Sequence, residues 1–337
     1  MSIIRLNKAA YIHNLTKILD KVGDKNRVIL ILKDNAYGHG ASIISDVASE
    51  LGFGFCAVKN EIEASEMVNK FSKILILSHI VNGDENSKYI YTINDMDAIK
   101  NIKSGTKIHL AIDTLMHRNG IGVDEILTAL NLVKKRSLIL DGAFTHFRSA
   151  SELNADYFVQ KQNFANAKIL IKKWADENGL KTPMFHSHNS AGFERVHKLH
   201  DESVRVGMVQ FGYTQFDENF DLKPVLSLYA HRLSKRLLRA GQSVGYGAKY
   251  TATNDINIAT YDLGYADGLF RYDGYKELIL ANQNKILGTM SMDSFSTLDV
   301  GDEVCVFDDA RVWAKYFNTI EYEILVKLSK DIRRVWV

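Results

Sequence analysis

The feature that most constrains this chain is a rhythm. Eight short apolar runs recur through the first 208 residues: VILIL (28–32), FGFCAV (53–58), KILILS (73–78), YIYTI (89–93), KIHLAID (107–113), LILDGAFTHF (138–147), MFHSH (184–188) and SVRVGM (203–208). Their brevity and β-branched content mark strands. Helical periodicity fills 41–51, 61–70, 95–103, 124–135 and 157–178 between them. Strands alternating with helices form parallel βαβ units, and eight is the number that closes a (β/α)8, TIM-type barrel.

Near Pro224 the rhythm changes. From there the chain reads as strands and turns: VLSLYAHRL, SVGYG, INIATYDLGY, ELILANQN, DSFSTLDV and EVCVF, with helical patterning returning only near the end. The expectation is a barrel over residues 1–222 and a smaller, mainly β C-terminal domain over 223–337.

The charge sum narrows the function classes. Forty-two basic against 40 acidic residues, with no basic tract, give no support for nucleic-acid binding. No run approaches the roughly 18 uncharged apolar residues that span a bilayer. The opening MSIIRLNKAAYIHNL lacks a signal-peptide core and cleavage site. Two cysteines are too few for a disulfide framework, and Cys56, inside FGFCAV, reads as a buried structural thiol. The expected compartment is the reducing cytoplasm, and no metal site is expected.

In such barrels the chemistry sits at the C-terminal ends of the strands. Lys33 follows VILIL, Arg118 lies past IHLAID, His146 ends the sixth run, His186 and Ser190 flank the end of the seventh, and Arg205 lies on the eighth. With Tyr37, these converge on one cationic mouth suited to a phosphorylated or carboxylated ligand. A strand-end lysine can simply be a solvated, snorkelling side chain. It can also be a desolvated amine able to attack a carbonyl.

The string Lys33-Asp34-Asn35-Ala36-Tyr37-Gly38-His39-Gly40 resembles the cofactor-lysine motif of alanine racemases, fold-type III enzymes that use pyridoxal 5'-phosphate. Further matches follow in the family's order. They are Asp113-Thr114 with Met116 and Arg118; Thr145-His146-Phe147; His186 with Asn189-Ser190-Ala191; Arg205-Val206-Gly207-Met208 and Gly212; Val244-Gly245-Tyr246-Gly247; Gly264-Tyr265-Ala266-Asp267-Gly268 with Arg271; and Ser291-Met292-Asp293.

The resemblance implies a role for each. Lys33 would hold the cofactor's aldehyde and act as one proton-transfer base, with Tyr246 of a partner chain as the second on the opposite face of the substrate. Arg205 would face the pyridine nitrogen, with His186 bonded to it. Tyr37, Ser190, Gly207 and Met208 would hold the phosphate, and His146 would lie beside the ring. Arg118 would approach the substrate carboxylate, Tyr265, Met292 and Asp293 would reach the substrate from the partner chain, and Arg271 would line its entry. The expected protein is a homodimeric isomerase with shared active sites that interconverts L- and D-alanine, supplying D-alanine for the peptidoglycan of the cell wall. The alternatives are a racemase of another amino acid such as serine, a fold-type III decarboxylase, or a non-catalytic carrier of the cofactor. The carrier class resembles a barrel alone, and decarboxylases usually set a carboxylate where Arg205 stands.

Three positions depart from the family. Ala111 stands where members often have a carbamylated lysine. Leu115-Met116-His117-Arg118 replaces Gly-Met-Gly-Arg. Ser329-Lys330-Asp331-Ile332-Arg333-Arg334 replaces a tyrosine followed by Arg-Val-Pro-Arg.

Overall fold

A strand lying between a packed interior and a layer of helices is apolar at every position rather than at alternate ones. Val28–Ile31, Phe55–Val58 and Ile90–Ile93 are buried at all four residues in the computed structural model, which describes residues 1–216 and 220–337. They belong to a ring of eight parallel strands that continues through Lys73–Ile76, Lys107–Asp113, Ile139–Phe144, Met184–His188 and Glu202–Val206. The last pairs with the first, Val204 opposite Val28, and so closes a (β/α)8 barrel. All eight apolar runs of the sequence supply one strand each. Helices Glu61–Met67, Met96–Asn101, Ile126–Lys135 and Asp156–Glu177 occupy the periodic stretches. Asn60 and Asp95 cap two of them, their side-chain oxygens accepting the N–H groups of Glu63 and Ala98 at 3.1 and 2.7 Å.

The mainly β region is built on one long strand, Leu226–Leu238. Its first half pairs antiparallel with Ile3–Leu6 and Glu303–Phe307, its second half with Ile256–Tyr261, which pairs in turn with Phe295–Leu298. Arg333–Trp336 adds parallel to Ile3–Leu6. Leu238, Ala252, Ile258 and Leu287 form one apolar cluster of this region, and Phe307 packs on Trp313 with ring centres 5.6 Å apart.

The described chain divides into a barrel unit, His13–Lys33 with Ile44–Leu222, and a sheet unit, Met1–Ile12 and Asp34–Ile43 with Lys223–Val337. Residues 1–12 and 34–43, grouped with the barrel on sequence, thus lie in the sheet unit. The first joins it because Ile3–Leu6 buries alternate residues, Ile4 and Leu6, as a sheet strand does. The ELILANQN run, expected as a strand, forms only one isolated bridge, Ile279 to Lys285. There the chain turns back: Gln283 is left-handed at φ 67°, and Asn282 Oδ1 accepts the Asn284 N–H at 3.1 Å. Helix Lys8–Val22 and strands Ile3–Leu6 and Arg333–Trp336 were not anticipated. Among the described residues no helix is long and apolar enough to cross a membrane, and no cluster of three His, Cys, Asp or Glu could hold a metal ion. Cys56 is buried, and burial raises its thiol pKa.

Candidate active site

Eight of the expected site residues belong to the barrel unit: Lys33, Arg118, His146, His186, Ser190, Arg205, Gly207 and Met208. The barrel interior fixes Arg205 firmly. Only 4% exposed, its guanidinium donates through Nη1 to His186 Nδ1 and to the His186 carbonyl, both at 2.7 Å. Nη2 donates to the Thr145 carbonyl at 2.8 Å and reaches the Ser187 carbonyl at 3.3 Å and His146 Nδ1 at 3.5 Å. The face of the same guanidinium lies 5.0 Å from the Phe144 ring centre, and His186 stacks on Phe144 at 4.8 Å.

The surrounding potential is positive. Burial, followed by the charges of Arg205, Arg118 and Lys33, pushes His146 down to about 3, and among the described residues no carboxylate opposes them. His146 is therefore neutral, and an anion is the ligand such a setting favours. Lys33, half-buried, follows Leu32, whose N–H bonds the Ala57 carbonyl at 2.9 Å. Ser190 opens the short helix Ser190–Arg195, capped by Asn189, and its Oγ accepts the Gly207 N–H at 3.0 Å. With that lone pair used, its hydroxyl hydrogen can still be donated to a ligand. Gly207 precedes the 3-10 turn Met208–Phe211.

Arg118 is exposed and lies on an unusual loop. Leu115 and His117 stand where glycine would be the natural residue, at φ 154° and 55°. Asp113 holds both, its Oδ1 accepting their N–H groups at 3.0 and 3.1 Å. Arg148 and Asn163 donate to the Leu115 and Thr114 carbonyls at 2.9 and 3.0 Å. The Ala111 site is small and buried.

The remaining residues, Tyr37, Tyr246, Tyr265, Met292, Asp293 and Arg271, belong to the sheet unit. Tyr37 ends four consecutive left-handed residues, Asp34 to Tyr37, with φ between 51° and 57°. Each such L-residue costs roughly 1–2 kcal/mol. The turn therefore persists only because it is tied from several sides. Gly40 N–H bonds the Asn35 carbonyl at 2.9 Å, Ala41 N–H bonds Asn35 Oδ1 at 2.8 Å, and Arg334 Nε bonds the Gly38 carbonyl at 2.9 Å. A side chain at Gly38 would run into the Leu325 carbonyl, which is why glycine stands there. Tyr37 is buried, edge-on to Tyr322 at 5.6 Å, a neighbour that no sequence motif marks.

Tyr246, by contrast, is 68% exposed at the tip of a turn between Gly245 and Gly247, both at positive φ. Its backbone bridges to Thr289, whose hydroxyl donates to the Tyr246 carbonyl at 3.0 Å. Tyr265 and Met292 are 36% and 54% exposed and joined through the backbone, Ala266 N–H bonding the Met292 carbonyl at 2.9 Å. The segment 289–293 thus links the Tyr246 and Tyr265 turns within one unit.

Comparison with known proteins agrees with the architecture of a barrel followed by a mainly β region. The family pattern "Alanine racemase, N-terminal domain" matches residues 6–215, and "Alanine racemase, C-terminal domain" matches 225–336. An alanine racemase of Campylobacter curvus is 60% identical over 337 residues, all of both chains, and one of Campylobacter jejuni is 53% identical over the same span. A structure of alanine racemase from Clostridium difficile superposes with a TM-score of 0.88 at 25% identity, covering 100% of this chain and 95% of that one. One from Bacillus anthracis, crystallised with bound L-Ala-P, gives 0.87 at 26% identity with the same coverage. On the barrel, the appended sheet and these matches across both, the chain belongs to the alanine racemase family.

Proposed function

We propose that this chain is a pyridoxal-phosphate-dependent isomerase that interconverts L- and D-alanine, working as a cytoplasmic homodimer. The observation that carries the reading is Arg205. A guanidinium offers donors and no acceptor, and this one is held in place by the His186 and Thr145 carbonyls and by His186 Nδ1, so it can only donate toward a pyridine nitrogen. It thereby limits the ring's electron demand and disfavours the side reactions that a carboxylate at that position would open.

The donor set suits the cofactor. The cationic mouth around a neutral His146 fits a phosphorylated aromatic, and Ser190 offers its hydroxyl to phosphate with the Gly207–Met208 backbone beside it; the family resemblance adds the Tyr37 hydroxyl. Lys33 would hold the cofactor's aldehyde. When bound, the cofactor supplies electron withdrawal that acidifies the substrate's α-C–H bond.

The chain's own groups do the rest. Inversion needs a proton removed from one face of the α-carbon and returned to the other. Lys33 Nζ serves one face and Tyr246 Oη of the partner subunit the other. Arg118 would steer the substrate carboxylate, with Tyr265, Met292 and Asp293 of the partner subunit bounding the space around it. In a bacterial cell the product would be D-alanine for peptidoglycan.

The test is a panel of L-amino acids, serine included, incubated with purified protein and cofactor and resolved by chiral separation. Alanine should racemise fastest with no carbon dioxide released. Borohydride reduction followed by peptide mapping should place the cofactor on Lys33. An adduct on another lysine would refute its role.

A further inference from the structure

Behind Arg205 runs a buried polar chain that the sequence did not foretell. His186 Nε2 lies 2.8 Å from His109 Nδ1, His109 Nε2 lies 3.4 Å from Asp141 Oδ2, and the same oxygen receives Lys73 Nζ at 3.1 Å. His109, His186 and Arg205 come from the fifth, seventh and eighth barrel strands, and Asp141 from the sixth. Both histidine rings are wholly buried, whereas Lys73 is 42% exposed at its side chain.

The fold makes room for this line. Gly142, beside His109 in strand register, carries no side chain, and a Cβ there would stand 2.6 Å from the His109 ring. The register shifts by one residue between Ile108 and His109, which re-aims the ring over that gap. Gly142 has no positive φ to explain it, so its glycine answers to the ring it faces.

Hydrogen-bond direction then allows one arrangement. An arginine only donates, so His186 Nδ1, 2.7 Å from Nη1, must be bare and its proton must sit on Nε2. That proton points at His109 Nδ1, which must also be bare, so the His109 proton sits on Nε2 and faces Asp141. Burial keeps both rings neutral, and the bond from His109 holds Asp141 well below the usual carboxylate range. Without an acceptor at Asp141 the opposite tautomer of His109 becomes available. It would donate into His186 Nε2, drive the proton onto Nδ1 and set it against the Arg205 N–H.

We infer that Asp141 and His109 are positioning residues: they lock His186 in the Nε2–H form and so fix the guanidinium of Arg205 that faces the cofactor's ring nitrogen. This rests on the proposed function, but its first readout does not. In cofactor-loaded protein labelled with ¹⁵N-histidine, the ring nitrogens report each tautomer directly, whether or not any substrate racemises. Both His186 and His109 should show a protonated Nε2 and a bare Nδ1. Asp141→Leu should move one or both rings toward Nδ1–H, shift the visible band of the bound cofactor, and lower kcat about tenfold or more with little change in KM, the scale of losing a partner behind a ligand-holding group. Asp141→Asn, whose amide oxygen still accepts, should keep the wild-type tautomers and most of the activity. If the leucine variant does not fold, His109→Phe fills the same slot over Gly142 without a nitrogen and should release His186 in the same way. Wild-type His186 nitrogens and cofactor spectrum in the disrupted variant would overturn the inference, as would an asparagine variant as damaged as the leucine one. Intact tautomer locking in a protein that racemises nothing would instead overturn the functional reading alone.

Discussion

The two halves of the candidate machinery are held in opposite ways. In the barrel unit Arg205 and His186 are buried, with carbonyl and imidazole acceptors from Thr145, His146, His186 and Ser187 around the guanidinium and a further histidine and carboxylate behind the imidazole. In the sheet unit Tyr246, Tyr265 and Met292 stand exposed on turns, and among the described residues no hydrogen bond of the Tyr246 hydroxyl is found. A buried donor array is fixed before any ligand arrives. An exposed tyrosine between two left-handed glycines is aimed by its backbone and waits for something to enclose it. The contrast is what the proposed shared site would need: one chain would contribute a finished wall and the other a projecting group.

The sharpest way to break that contrast is exchange between two inactive variants. Lys33→Ala and Tyr246→Phe should each lower racemisation by roughly 10²–10⁴-fold, the range for removing an acid–base group. After subunit exchange about half of the dimers are mixed, and one of their two sites is intact, so about a quarter of sites should recover under random pairing in a two-fold dimer. Mixed dimers that stay as inactive as their parents would mean each chain builds its own site.

The next effect is on stability and should fall on one side only. Arg205→Leu strands the His186 and Thr145 carbonyls and His186 Nδ1, three buried acceptors. At about 1 kcal/mol or more for each, the loss should reach about 3 kcal/mol. Tyr246→Ala, at an exposed turn, should change stability by less than about 0.5 kcal/mol. Denaturant melts of the two variants read this difference. Equal losses would erase the distinction drawn here.

Acid should separate the units in the same direction. Burial lowers His109, His146, His186 and His188 in the barrel unit, His146 to about 3 and His188 to about 4, against His39 alone, at about 3, among the histidines of the sheet unit. A histidine with a depressed folded pKa leaves the unfolded chain binding more protons between that value and about 6.5. Its stabilisation is complete above about 6.5 and is lost as pH falls toward 3. Melting of the barrel unit should therefore drop more between pH 7 and 4. Trp174 reports on it, Trp313 and Trp336 on the sheet unit, so single-tryptophan variants resolve the two.

Two smaller effects refine the picture. Gly142→Ala should cost about 1–3 kcal/mol by overpacking against His109. Gly105, with open space at its Cβ position, is at φ 80°, so Gly105→Ala would test backbone strain rather than packing. Leu115→Gly should stabilise the Arg118 loop by up to about 1 kcal/mol, since it relieves a φ of 154°. No gain in thermal melting would mean that Asp113 and Arg148 already hold the loop without strain.

The barrel was legible because its strands are buried on both faces, so each reads as a continuous apolar run. The sheet unit was harder. Ile3–Leu6 and Arg333–Trp336 are four residues each and carry arginines, and only distant pairing makes them strands. ELILANQN opens with an apolar run, Leu278–Ala281, yet its Asn and Gln residues turn it back on itself. At the site, motif strings marked Lys33 and Tyr246. Nothing in sequence spacing joins His109 to Asp141 or His186, because 32 and 77 residues separate them and only the curl of the barrel brings them into line.

The pairing of Ile3 with both Tyr229 and Arg333 also sets a timetable for synthesis. A chain emerging at about 5–20 residues per second exposes its first strand roughly 15–60 s before the last one exists to cover it. During that interval the whole barrel can be made and closed, and Leu226–Leu238 can pair with Ile3–Leu6, but the parallel neighbour of Ile3–Leu6 is still missing. Strand Ile3–Leu6 is thus among the last parts to complete its pairing. Deleting residues 333–337 should therefore unsettle residues 1–7 first, seen as lost amide protection at the opposite terminus.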